Sequence, residues 1–352
     1  MIILGIETSC DETSASIVKD GQTILTNVVS SSMAKHAQTG GIIPEVAARE
    51  QSKYMIPVLD EAISSIARDI DAIAVTVGPG LVGSLLVGVE SAKTLSKVWQ
   101  KPIVPVNHLV AHLYANWLAK EQRAPQFPLI ALVVSGGHTD LVLMKGHGKI
   151  KWIGGTRDDA AGECFDKCAR LLGLGYPGGP AVSAEAEKFK IQNSKLKIRL
   201  PRPIISEDNF DFSFSGLKTA VLREVNKLKD NNYFNNQTVE QLSWEIQEAV
   251  TDVLVSKTIK AAEKFKVKSI ILAGGVSANS RLREKFNHQS PASPKLQRGE
   301  SIINRQFQLH IPPPSLCTDN AAYIASYAYF NYKPVPWREI KVLPGLTITG
   351  EI

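Results

Sequence analysis

Ile2-Ile3-Leu4-Gly5-Ile6-Glu7-Thr8-Ser9-Cys10-Asp11-Glu12-Thr13 begins with an apolar run and stops abruptly at acids and hydroxyls. Ile2–Glu7 predicts a buried strand. Residues 13–19 and 23–30 predict a hairpin around Asp20-Gly21, a pair suited to a tight turn. After this meander the periodicity predicts a helix over 44–67, an apolar strand over 71–77 and a helix over 83–99. A short strand over 103–106 then leads into a helix carrying His108 and His112. The order returns in the second half. Strands are expected over 129–135, 140–144 and 150–153, then a helix near Gly162. A long helix over 239–265, the strand Ser269–Ala273, a helix over 277–286, a strand near 309–311 and a helix over 320–331 follow. One α/β plan written twice predicts two mixed-sheet domains, 1–125 and 126–352, with a nucleotide cleft between them. Two segments fall outside this plan: a basic insertion over 176–236 and a loop over 289–308, poor in apolar residues and read as mobile.

The chain has 352 residues, 44% of them hydrophobic and 21% charged, which fits a globular protein large enough for two cores. No apolar run approaches the roughly 18 residues of a membrane span, and the opening run is shorter than a signal peptide. Cys10, Cys164, Cys168 and Cys317 contain no Cys-x-x-Cys pair and are too few for a disulfide framework, so the cytoplasm is the expected compartment. The net charge of +6 is partly local. Lys188, Lys190, Lys195, Lys197, Arg199 and Arg202 stand near the single acid Glu187, a cluster able to track a phosphate backbone or to form a solvated face.

Several spacings carry chemistry. His108 and His112 lie one helical turn apart, so both imidazoles can reach one metal ion; a packed histidine beside a solvated one is the structural alternative. Asp319, just before the last helix, is either its cap or the oxygen ligand that completes a two-histidine, one-carboxylate site. The Glu7–Thr13 stretch can orient a metal or a reacting group, or be a polar turn. Gly78-Pro79-Gly80-Leu81-Val82-Gly83-Ser84 follows a strand and opens a helix, where unpaired amides face an anion, although no Walker lysine follows. Val134-Ser135-Gly136-Gly137-His138 and Gly274-Gly275-Val276-Ser277-Ala278-Asn279 sit at corresponding strand ends of the second half. In the latter Ser277 is a candidate helix cap, and Asn279 is a candidate contact to a base or ribose. Gly178-Gly179-Pro180 adds a further point of close backbone approach, and His36 is a loop histidine able to line the same cleft.

Together these motifs resemble one family over nearly the whole chain: residues 4–13, 36–49, 78–88, 107–112, 134–139, 158–166, 176–180, 212–220, 274–283 and 317–322. It is the TsaD family, bacterial type: tRNA adenosine threonylcarbamoyltransferases formerly named O-sialoglycoprotein endopeptidases. The resemblance implies the duplicated actin/Hsp70/sugar-kinase (ASKHA) fold. It implies transfer of a threonylcarbamoyl group from threonylcarbamoyl-AMP to the adenosine 3′ of the anticodon, in tRNAs reading codons that start with A. By the family pattern His108, His112 and Asp319 bind one divalent metal ion per subunit, iron before zinc. Val134, Ser135, Gly136, Gly137 and His138, with Asp166, Gly179 and Asn279, line the adenylate site, which could equally take ATP or AMP analogues. Expected partners are tRNA, a TsaB-type paralogue and a TsaE-type ATPase, with no membrane. The departures are small: Ala111 between the histidines in place of glycine, Gln51 in place of a histidine, Ser183 where some members carry an acid, and the long 289–308 loop.

An acyl-adenylate is already activated, so such an enzyme must mainly position an amine, polarise a carbonyl and stabilise a leaving phosphate. Asp11, Glu12 and His138 are the candidate catalytic bases, and the basic insertion is the candidate tRNA contact. A small-molecule kinase or ATPase of the same fold is the first alternative, although it has no evident use for the histidine pair. A metalloprotease is the second, and Leu109 occupies the place of the glutamate that a His-Glu-x-x-His site needs.

Overall fold

In the computed structural model β1 (Ile2–Glu7), β2 (Glu12–Lys19) and β3 (Thr23–Ser31) form the meander, with Asp20 and Gly21 both in the left-handed region at its turn. β4 (Ala72–Gly78) and β5 (Ile103–Asn107) extend this sheet in the order β3-β2-β1-β4-β5. β2 is antiparallel to β1 and β3, whereas β1, β4 and β5 run parallel. Every residue of β4 is buried, as expected of a parallel strand covered on both faces. Helices α2 (Pro44–Ile63) and α3 (Val82–Trp99) pack on each other and on the sheet, and α10 (Ala321–Phe330) packs separately on β1, β2 and β4. The described residues are 1–64, 69–118, 123–192, 198–289 and 307–352.

The second sheet repeats the plan. β6 (Leu129–Val134), β7 (Thr139–Gly146) and β8 (Lys149–Gly155) are its meander, and β9 (Ser269–Ala273) and β10 (Gln308–His310) are added in parallel beside β6, giving the order β10-β9-β6-β7-β8. Its helices are α5 (Ala161–Leu172), α6 (Gly178–Gln192), α7 (Ser215–Asp230), α8 (Asn236–Phe265) and α9 (Ser280–Gln289). A capping box between Asn235 and Thr238 starts α8, three residues before the apolar periodicity begins. The doubling read from element order is thus also a doubling of sheet topology.

Two expectations of the sequence reading change. The chain forms two compact units, one of residues 1–125, 147–150 and 312–352, the other of residues 126–146 and 151–311. The C-terminal 41 residues (312 to 352 inclusive), expected with the second domain, therefore belong to the first. The reason is a set of specific contacts. Ala321 N–H donates to Ser14 Oγ (3.0 Å), Ser326 Oγ to Gly21 O (2.6 Å) and Leu343 N–H to Val77 O (2.7 Å). Residues 176–236, expected as an insertion, include two helices and contribute Val182, Phe210, Phe212, Phe214, Leu217 and Val221 to the core of the second unit. Within the basic cluster Lys188 pairs with Glu185, and Arg202 with Glu245 and Asp252; Arg199 is exposed. Lys195 and Lys197 lie outside the described residues, as does nearly all of the loop expected at 289–308.

Gly5 is where α10 meets the first sheet: a Cβ there would strike the main-chain oxygen of Ala321, with Ala325 N at 3.0 Å. These obstacles are backbone and cannot turn aside. Gly5→Ala is expected to destabilise the chain by about 1–3 kcal/mol, the usual range for overpacking. Urea denaturation of the variant beside the wild type checks this, and an unchanged midpoint would refute the packing argument.

Candidate functional site

The first site is built at the carboxyl ends of the parallel strands β1, β4 and β5, where open α/β sheets bind ligands. α4 (His108–Leu113) follows β5 directly. Asn107 caps it by accepting from Leu109 N–H (3.0 Å) and Val110 N–H (3.4 Å). Both histidines are buried, and their Nε2 atoms lie 3.1 Å apart. Asp319 Oδ1 is 3.2 Å from His112 Nε2 and 3.7 Å from His108 Nε2. The sequence left Asp319 as cap or ligand. Asn320 takes the cap, its Oδ1 accepting from Ala322 N–H (3.1 Å), which leaves the Asp319 carboxylate turned to the imidazoles.

Two further groups complete the cluster: Glu7, which the sequence reading placed in a stretch able to orient a metal without pairing it to a histidine, and Tyr323, to which it gave no role. Glu7, wholly buried at the end of β1, places Oε2 2.9 Å from His108 Nδ1 and accepts from Thr76 Oγ1 (2.6 Å) and Ser9 N–H (2.5 Å). It fixes the His108 tautomer, with the proton on Nδ1 and Nε2 facing the cluster. Its signal was an acid closing an otherwise apolar strand. Tyr323, one turn after Asp319 on α10, donates to Asp319 Oδ1 (3.4 Å), and its hydroxyl lies 3.3 Å from His112 Nε2.

The electrostatics call for a positive charge here. Burial opposes ionisation of both carboxylates, but the His108 charge, together with hydrogen bonds from His108 and Thr76 to Glu7 and from His112 and Tyr323 to Asp319, outweighs it and holds both below the usual carboxylate range. Burial likewise lowers His108, yet Glu7 and Asp319 raise it to about 9. Burial and the His108 charge keep His112 neutral, the form that ligates metals. Ligands at about 2.1 Å from one ion stand roughly 3.0–3.4 Å from each other. The 3.1 and 3.2 Å separations fall in that range, with 3.7 Å just above it, so the donor set fits a single cation.

Around it, the proposed bases divide. Glu12 is buried at the start of β2, and burial with the Asp319 and Asp11 charges pushes it up to about 10. It is then a neutral acid, a state that a nearby cation would reverse. Asp11 is half-buried in the same loop. The buried Gln51 donates from its amide to the main-chain oxygens of Thr8 (3.3 Å), Cys10 (2.9 Å) and Glu12 (3.2 Å), so it braces this loop. His36 is buried in α1 (Met33–Thr39), accepting at Nδ1 from Ile43 N–H (3.4 Å). Gly78 and Gly80 serve packing, and the N–H groups of Gly80 and Leu81 donate to Pro344 O (3.2 Å) and Ser9 O (2.8 Å). The space over Gly78 is filled by Leu343 O, and a Cβ at Gly80 would meet Ser9 main chain at 2.5 Å.

The second unit carries the other expected residues. Val134 ends β6. Ser135 N–H donates to His138 O (2.9 Å), and His138 N–H donates to Ser135 Oγ (3.2 Å), which closes the turn. Gly136 and Gly137 are exposed, have ordinary φ, and would admit a Cβ into open space. Among the described residues their N–H groups have no protein partner. Gly179 is equally open. Asp166 Oδ1 accepts from Gly178 N–H (2.7 Å) at the start of α6. The cap expected of Ser277 falls to Asn279: Ser277 is buried in a 3-10 turn, and Asn279 Oδ1 accepts from Leu282 N–H (3.0 Å) as the cap of α9. Asn279 Nδ2 donates to Gln247 Oε1 (2.9 Å).

The profile of one family, TsaD: tRNA N6-adenosine threonylcarbamoyltransferase, matches residues 23–326. Proteins of that name from Thermomicrobium roseum and Persephonella marina are 47% and 46% identical, over 94% and 95% of this chain and 92% and 91% of theirs. One from Dehalococcoides mccartyi is 47% identical over 99% of this chain and all of its own length. Among solved structures, full-length HypF superposes with a TM-score of 0.57 at 12% identity, over 96% of this chain and 47% of HypF. An activator of the 2-hydroxyisocaproyl-CoA dehydratase from Clostridium difficile gives 0.50 at 14% identity, over 94% of both chains. At such identities the likeness is one of fold, the duplicated actin/Hsp70/sugar-kinase type. With its sheet plan written twice and its sequence matched nearly end to end, the chain belongs to the TsaD family.

Proposed function

We propose that this chain transfers a threonylcarbamoyl group from threonylcarbamoyl-AMP to N6 of the adenosine 3′ of the anticodon, in tRNAs reading codons that start with A, and does so with a divalent cation held by His108, His112 and Asp319. The observation that carries the cation is the convergence of three ligating atoms, braced by Glu7, in a chain of this family. A bound cation would act as a Lewis acid toward the carbamoyl or carboxylate oxygens. Iron is the first choice for it and zinc the second.

The chain's own residues supply the rest. Glu7 holds the His108 Nδ1 proton, which keeps Nε2 directed at the cluster. The adenylate is assigned to Val134, Ser135, Gly136, Gly137, His138, Asp166, Gly179 and Asn279. What supports this is glycines that the fold does not need, together with two main-chain donors left for a ligand. An activated acyl-adenylate asks for positioning and charge stabilisation, and oriented N–H groups give both. Asp11 and His138 are the candidates to take the amine proton, with Glu12 a third where a cation lowers it. The protein works in the cytoplasm with a TsaB-type paralogue and a TsaE-type ATPase; no described helix is long and apolar enough to cross a membrane.

The test is modification of tRNA in vitro with supplied threonylcarbamoyl-AMP and both partners, read by nucleoside mass spectrometry. Unmodified adenosine under those conditions would overturn the assignment. Three variants probe its parts. His108→Ala with His112→Ala should lose bound metal by elemental analysis and lose transfer, while circular dichroism stays that of a folded chain. Glu7→Gln should weaken metal binding about 10–100-fold in chelator competition, the cost of removing a partner that orients a ligand. Gly137→Ala should keep stability within about 0.5 kcal/mol, as at sites free of structural demands, yet slow transfer; undiminished transfer would remove that loop from the site.

A further inference from the structure

Helix α4 carries both imidazoles and has only six residues. A helix that short has no stability of its own, so its direction is decided by what holds its ends. At the carboxyl end the Tyr114 hydroxyl accepts from Asn331 Nδ2 (2.7 Å), at the end of α10. At the amino end the holding group is the Asn107 side chain, which is 2% exposed. Its Oδ1 is committed to the amides of Leu109 and Val110, so its Nδ2 points away from the helix, and there it donates to Thr347 O (2.8 Å). One planar amide thus ties the first turn of α4 to a segment 240 residues further along the chain.

That segment is a strap along the first sheet, from the start of β5 to the end of β4. Val335 N–H donates to Ile103 O (3.0 Å), Leu343 N–H to Val77 O (2.7 Å) and Gly80 N–H to Pro344 O (3.2 Å). Ile340 and Ile348, on either side of Leu343 and Pro344, are buried. Thr347 O also accepts from Gly350 N–H (2.9 Å), so the carbonyl that meets Asn107 is held in a turn of its own.

We infer that Asn107 is a positioning residue for the metal helix, and that the C-terminal strap, through Thr347 O, sets the rotation of α4 and with it the aim of His108 and His112. His108 directly follows Asn107, and His112 is one turn on. Rotation of α4 about its axis would therefore move both Nε2 atoms relative to Asp319, which stands on a different element. The inference rests on the cation reading above and adds to it the group that keeps two of the three ligands in register.

The test is Co2+ binding to the purified full-length chain, measured by chelator competition and by the visible absorption of the bound ion, beside urea denaturation of the metal-free protein. Asn107→Ser keeps an oxygen able to cap α4 and loses the amide N–H, whereas Asn107→Ala loses both. Each should bind Co2+ about tenfold more weakly, the scale of losing a partner that orients a ligand, and with an altered absorption band. The urea midpoint should fall clearly only for Asn107→Ala. Ile348→Asp, which undocks the end of the strap and leaves Asn107 in place, should weaken Co2+ in the same way. Wild-type affinity and band in Asn107→Ser would overturn the positioning role, and wild-type affinity in Ile348→Asp would remove the strap from it; both results leave the cation reading standing. A wild type that binds Co2+ no better than the protein carrying His108→Ala and His112→Ala would sink the cation reading itself.

Discussion

Helix α10 can lie against β1 only because residue 5 has no side chain, and the site depends on that close approach. The contact is main chain to main chain, and hydrogen bonds from Ala321 to Ser14 and from Ser326 to Gly21 lock its register. With α10 fixed, the residue just before its cap faces the carboxyl ends of the parallel strands. Asp319 thereby reaches two imidazoles that are more than 200 residues earlier in the chain. A shift of α10 by one residue would swing Asp319 and Tyr323 away together, since Tyr323 is in its first turn and Asp319 immediately precedes its cap.

Once brought together, the charged groups constrain one another. Two buried carboxylates flank His108, and desolvation alone would force them to take up protons. A positive charge at the His108 ring prevents it. A proton supplies that charge in the bare protein, and a cation supplies it more completely, because it also satisfies His112. The cation proposed for this site would thus offset the cost of burying the two acids.

The glycines separate into two physical classes. Gly5, Gly78, Gly162, Gly178 and Gly274 each stand where a Cβ would strike main chain, so they serve packing. Gly136, Gly137 and Gly179 serve no packing, and their open faces are the ones assigned to the substrate. This division demotes the 78–84 loop, whose Gly-Pro-Gly looked like a phosphate cradle and instead receives the C-terminal segment. In the 274–279 turn Asn279 Oδ1 caps α9 and its Nδ2 holds Gln247, so a residue assigned to the adenylate is itself fixed in place.

The sequence by itself determined the two sheets, nearly all their strands, and the His108–His112 pair. Period-2 and period-3.6 patterns and the i, i+4 spacing are local properties, legible without knowing what packs on what. Its local pattern left Asp319 as cap or ligand, because either role suits an acid at a helix start, and only the family resemblance made it a ligand; in the structure Asn320 takes the cap and the Asp319 carboxylate stands beside the imidazoles. The sequence could not show that Glu7 braces His108, that residues 312–352 return to the first unit, or that Asn107 meets Thr347. Each of these depends on residues far apart in sequence, and only the tertiary fold, through backbone contacts that admit no side chain, brings such residues within hydrogen-bonding distance.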